Sequence, residues 1–176
     1  AAAVLIAILS KHAIRWKGRH VFNPAGFGIV AAGFLFGVAA SWWVATSLII
    51  IPLGLFLVWK LRKFVLAITF LAVYYATSFA LSYPNTASAA VLDTTAIFFA
   101  FFMLVEPMTS TIPRFAQVAE GILAGVLVFV VRTLIPQTDL FLFALLIANI
   151  FVPILNKRLR PQSKPQPAMP APIAAA

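Results

Sequence analysis

The sequence predicts an all-α integral membrane protein of about six transmembrane helices, preceded by an N-terminal helical remnant. Three observations predict it. Of the 176 residues, 63% are hydrophobic and 10% charged, against about half and about a quarter in soluble domains. Several apolar runs approach the ~20 residues that cross a ~30 Å hydrocarbon layer. The charges collect at the ends of those runs. A soluble fold of this size cannot bury so much apolar surface, so the solvent is lipid and the bilayer is the first partner. The absence of cysteine excludes disulfides, thiolate metal sites and cysteine-held iron–sulfur clusters within this chain. A net charge of +9 would suggest nucleic acid in a soluble protein. Here it reads as topological anchoring, and no nucleic-acid partner is expected.

The elements follow in order. Ala1 to Ser10 is an apolar stretch too short to span, read as the tail of a longer helix. A basic loop holds Lys11, Arg15, Lys17 and Arg19 together with His12 and His20. Nothing nearby supplies a further ligand, so solvated or headgroup-facing histidines are expected. The first full span runs from Phe22 to about Ala40, with Asn23 as N-cap and Pro24 as a first helical residue. Gly33 and Gly37 have small-xxx-small spacing. The second span, about Trp43 to Trp59, contains Pro52 and should kink there. A third runs from about Phe64 to Leu81. The fourth has two readings: a crossing helix from near Ser88, or a half-helix capped by Asp93. Broken helices of the second kind occur where they line a cavity or a site. The fifth span, about Ala119 to Leu134, opens on Glu120 and carries Gly121 and Gly125. The last, about Leu140 to Leu155, contains Pro153, which leaves the Asn149 carbonyl without its i+4 donor. Proline breaks thus recur along the chain.

Alternating the sides of successive loops puts every lysine and arginine except Arg132 on one side. That agrees with the excess of basic residues on cytoplasmic loops and places the C-terminus in the cytoplasm. Residues 1–156 read as the transmembrane domain. Residues 157–176 read as a basic, proline-rich, disordered cytoplasmic tail.

The stretch that organises the chain is Phe98 to Arg114. An aromatic helix runs into Glu106 and Pro107, then into Thr109, Ser110 and Thr111, and ends at Arg114. Ionisable groups at a membrane edge are costly and read as functional. Glu106 suits a proton or cation site; it equally suits a helix-end cap or a partner for Arg114. The hydroxyls are also what a turn after Pro107 would hold structurally. Asn149 is either interhelical glue or a ligand. No serine–histidine–acid order, phosphate loop, nucleotide fingerprint or metal spacing is present. The candidate site is therefore Glu106, Pro107, Thr109, Ser110, Thr111 and Arg114, with Asn23 and Asn149 at the helix breaks.

The stretches F-F-M-L-V-E-P-M-T-S and L-F-A-L-L-I-A-N-I-F-V-P-I-L-N-K, with F-N-P-A earlier, resemble one membrane family. It comprises the B subunit of the sodium-pumping NADH:quinone reductase and the D subunit of the Rnf ferredoxin:NAD reductase. The acid-proline corner is matched at Glu106, Pro107, Met108 and Thr109. The N-x-x-x-P element is matched at Asn149 and Pro153, and the helix opening at Phe22 to Ala25. The resemblance covers about Arg19 to Lys157. It implies a bacterial inner or equivalent membrane, other membrane subunits as partners, and a flavin (FMN or riboflavin). The family's usual aspartate is Glu106 here. Its S-G-A-T element, whose threonine bears covalent FMN, is absent, so no threonine inherits that role. The function implied is a membrane subunit scaffolding flavin- or quinone-mediated electron transfer coupled to cation movement. The alternatives are a small-solute or ion transporter or channel, and an accessory subunit that packs against a larger complex.

Overall fold

The computed structural model describes residues 1–37, 49–82, 93–136 and 138–159. Within them the chain is almost wholly helical. Helix α1 (Ala2–Ala13) absorbs Lys11 and His12 of the expected loop. A small hairpin follows, β1 (Arg15–Trp16) paired antiparallel with β2 (Arg19–His20). Lys17 and Gly18 turn it with φ of 49° and 83°, the two left-handed positions of a two-residue hairpin turn.

Helix α2 (Pro24–Phe36) starts as expected. The Asn23 side chain accepts from the Gly26 N–H and Pro24 occupies the first turn. It stops earlier than expected, because Gly37 turns left-handed at φ 66°; residues 38–48 lie outside the described residues. Helix α3 (Ile50–Leu61) begins just before Pro52. The proline therefore sits in the first turn, where its missing N–H costs nothing, rather than kinking a helix interior. Helix α4 runs Phe64–Ser82. The organising segment is the half-helix: α5 (Thr94–Phe98), capped by Asp93 through the Thr95 and Ala96 N–H groups, continues as a π-helical turn over Phe99–Met103. Ten residues rise only ~15 Å, half a bilayer core. Helices α6 (Arg114–Leu134) and α7 (Leu140–Arg158) are continuous. Among the described residues, α4, α6 and α7 are long and apolar enough to cross a membrane. The other three expected spans are present as the shorter α2, α3 and α5 with its π turn. The expected tail from residue 160 lies outside the described residues.

Close helix packing runs on glycine. A methyl at Gly121 would lie 2.8 Å from Thr69 Cβ and 3.0 Å from both the Leu66 carbonyl and the Phe70 nitrogen. One at Gly125 would lie 2.7 Å from Val73 Cγ1. So the Gly121–Gly125 pair seats α6 on α4, as its spacing predicts. Gly37 meets nothing within 4 Å among the described residues, and Gly28 holds α2 against Ala7 of α1, with 2.7 Å to its Cβ. The core is aromatic where the half-helix enters: Phe99 packs at 5.0 Å from Phe70 and 5.2 Å from Phe141. Phe34, Phe36, Ile68, Phe115 and Ile154 point outward, as apolar side chains of membrane-spanning helices are expected to.

The two ends of the bundle differ. Tyr74 donates to Asp93 at 2.5 Å at the end that carries Arg132. The opposite end gathers His20, Lys63, the Glu106–Pro113 loop and Asn156 through direct contacts. Of the basic residues expected on one side, Lys63 is the one these contacts place here.

Candidate functional site

The site is built on the broken helix. Its π turn closes with the Leu104 N–H on the Phe99 carbonyl at 2.9 Å, and such turns often mark functional sites. Two residues later the backbone leaves the helix at Glu106. The next turn folds back on that residue. The Thr109 and Ser110 N–H groups donate to the Glu106 carbonyl at 3.2 and 3.0 Å, and the Ser110 hydroxyl joins them at 2.7 Å. Pro107 lies exposed at the head of this turn. Ser110 thus has the structural role of closing the corner.

The Glu106 carboxylate has different partners. Thr109 Oγ1 donates to Oε2 at 2.8 Å, and His20 Nε2 lies 3.1 Å from Oε1. His20 is 8% exposed and Glu106 25%, so the pair sits at a rim. The expectation of a solvated or headgroup-facing His20 is corrected: the β-hairpin carries this ring inward. Arg114 does not close on Glu106; it is the exposed first residue of α6.

Asn23 belongs to the corner as well. While its Oδ1 caps α2, its Nδ2 donates to the Met103 carbonyl at 3.3 Å, at the end of the π turn. One amide therefore stitches two helix breaks together. Replacing Asn23 with alanine removes a cap and this tie. We expect a loss of about 1–2 kcal/mol, read as a lower thermal midpoint with the fold retained.

Thr111 turns away from Glu106. Its N–H and Oγ1 both donate to Glu120 Oε2 at 2.7 Å, and its carbonyl accepts from the Lys63 ammonium. Helix α6 begins at Arg114, so Glu120 lies in its second turn, fully buried, rather than opening the span. Burial pushes the Lys63 ammonium below the ordinary lysine range, and the Glu120 carboxylate opposes that shift. Asn149 is buried in α7, and both of its amide atoms lack a partner among the described residues. No direct bond joins it to the Glu106 corner. A separate concavity of about 300 Å³ lies at the other end, lined by Tyr74, Thr77, Ser78, Arg132 and Leu140 among others; none of the expected site residues lines it.

Two clusters thus share one loop: Glu106 with His20, Asn23, Thr109 and Ser110, and Glu120 with Thr111 and Lys63. A carboxylate, an imidazole and a hydroxyl at a membrane rim can hold a proton or a small cation. The described residues hold no group of three or more acids and histidines suited to a metal ion.

Residues 45–164 match the NQR2, RnfD, RnfE family. The chain is 32% identical over 139 residues to the D subunit of the ion-translocating oxidoreductase complex of Salmonella arizonae, covering 76% of this chain and 39% of that protein. The same figures hold for the counterpart in Salmonella enteritidis. That of Aeromonas hydrophila is 42% identical over 64 residues, 36% of this chain and 18% of that protein. The chain spans 39% of the length of the Salmonella relatives it matches. With a match of this extent and a broken-helix corner at the expected place, the chain belongs to the NQR2, RnfD, RnfE family.

Proposed function

We propose that the chain is a membrane-embedded part of an electron-transport complex of the Rnf and Nqr kind, and that its Glu106 corner handles the moving ion at the membrane edge. The single observation that carries this reading is the corner itself. In a chain of this family, a partly exposed carboxylate ends a broken helix and meets an imidazole delivered by a separate hairpin. Relatives are named as subunits of an ion-translocating oxidoreductase complex, and other membrane subunits are the partners this reading implies. The basic end faces the cytoplasm, and the C-terminus with it.

Bound flavin would supply one- and two-electron chemistry to such a complex. The corner's threonines do not fit covalent attachment. Thr109 and Thr111 are buried and their hydroxyls donate to Glu106 and Glu120. This chain's share is therefore scaffolding and ion handling: Glu106 holds the charge, His20 answers it, and Asn23 fixes the helix ends around them.

The test is Glu106→Gln in the assembled complex, reconstituted in lipid vesicles. Redox-driven ion uptake should fall by about tenfold or more, ~1.4 kcal/mol of the coupled step. Unchanged uptake would make the corner a structural turn. Uptake that proceeds without redox substrates would favour a transporter.

A further inference from the structure

The most thoroughly buried acid in the described bundle has no part in the reading above. Glu120 is fully buried. Thr111 saturates its Oε2, while its Oε1 has no partner among the described residues. Gln117, three residues earlier, is in the same condition. Its Nε2 donates to the Ile112 carbonyl at 3.0 Å, and its Oε1 is buried and unpartnered.

Residues three apart stand side by side on one helix face, and both of these face inward. Two buried acceptors, each without a donor among the described residues, each carry a desolvation penalty of about 1–3 kcal/mol. An ionised carboxylate, which only accepts, cannot relieve it. One proton can: a protonated Glu120 Oε1 becomes a donor and the Gln117 amide oxygen its acceptor.

The charged groups around the site are few. Lys63 holds the far side of Thr111, and Arg19 lies close enough to Lys63 to disfavour its charge. Helix α4 contributes no charged residue, and those of α7 are Lys157 and Arg158 in its last turn. One residue, Thr111, thus separates the buried Glu120 carboxyl group from the buried Lys63 nitrogen.

We propose that Glu120 is a proton-carrying site inside the bundle, its proton held between Oε1 and the Gln117 amide oxygen and exchanged with the basic end through Lys63. The step balances: Glu120 carboxyl and Lys63 amine become carboxylate and ammonium, and the ammonium releases its proton to water at that end. This deepens the ion-handling side of the proposed function by naming a proton and its carrier. It does not require Glu106 to act.

Infrared difference spectra of the assembled complex in lipid, stepped in pH, test it. A carboxylic-acid C=O band that shifts in D2O should appear in the wild type, persist in Glu106→Gln and vanish in Glu120→Gln. Gln117→Leu, which keeps the acid and removes its acceptor, should move the band to higher frequency; it also serves if Glu120→Gln does not assemble. Lys63→Met removes the exchange partner and should slow the band's response to a pH step; an unchanged rate would overturn the route through Lys63. Identical bands in wild type and Glu120→Gln, or in wild type and Gln117→Leu, would overturn the proposal. So would loss of the band on adding sodium at fixed pH, which would make the ligand a sodium ion.

Discussion

Gly121→Leu should abolish a stable fold in detergent or lipid, seen as loss of a monodisperse elution peak and of a cooperative thermal transition. The first added carbon alone would stand 3.0 Å from the Leu66 carbonyl and the Phe70 nitrogen. Those are backbone atoms of α4, so no rotamer change makes room. The helices must separate, and with them the seats of Phe70 against Phe99 and of Val73 against Gly125. Overpacking of a core costs typically 1–3 kcal/mol; a side chain driven against the neighbouring helix's backbone belongs at or above the top of that range, about 3 kcal/mol or more. Against total stabilities of about 5–15 kcal/mol that is enough to dissolve the bundle. Ile122→Leu is the control. The neighbouring side chain is exposed on the outward face and should change stability by no more than about 0.5 kcal/mol. If Gly121→Leu melted like the wild type, the α4–α6 contact would not be the spine of the fold.

That contact was legible in the sequence because small residues four apart have one dominant use in a membrane helix. The half-helix was one of two readings, since Asp93 followed by two threonines suits an N-cap inside an apolar run while a start near Ser88 also fitted. The Glu106 corner was legible for a related reason: a proline disfavours helical backbone at the residue before it, so Glu106-Pro107 suits a helix end. Its partner was not. His20 lies 86 residues away in sequence, and only a two-residue hairpin turn, which Lys17-Gly18 permits without requiring, brings the ring inward. Lys63 was hidden by its company. K-L-R-K closes an apolar helix as any membrane anchor would, and nothing local shows that the last of the three basic residues turns in. Glu120 did carry a signal. It follows Ala116 and precedes Ala124 at four-residue spacing, on the face that also holds Gly121 and Gly125. An acid on the small-residue face of a helix is aimed at its neighbours rather than at lipid. Reading it as the opening of a span, on charge alone, missed that. Pro52 misled in the opposite sense, because whether proline kinks a helix or starts one depends on where the helix begins.

Glu106→Ala should cost about 2–6 kcal/mol of stability, the sum of two buried partner groups left unanswered at about 1–3 kcal/mol each. Thr109 Oγ1 and His20 Nε2 both depend on this carboxylate, and both residues are buried. His20→Ala frees only the Glu106 Oε1, which at 25% exposure water can reach, and should cost less. In a double-mutant cycle the pair should show a coupling of about 0.5–3 kcal/mol, measured as thermal or denaturant midpoints of the purified complex. Glu106→Gln separates structure from function. Its amide keeps an acceptor for Thr109, so most of the stability should return, while redox-driven ion uptake should not. If glutamine restored uptake as well, the carboxylate's charge would be irrelevant and the corner would be a turn held by hydrogen bonds. If alanine cost nothing, the hairpin would not be fastened to the broken helix at all, and His20 would have no reason to be buried there.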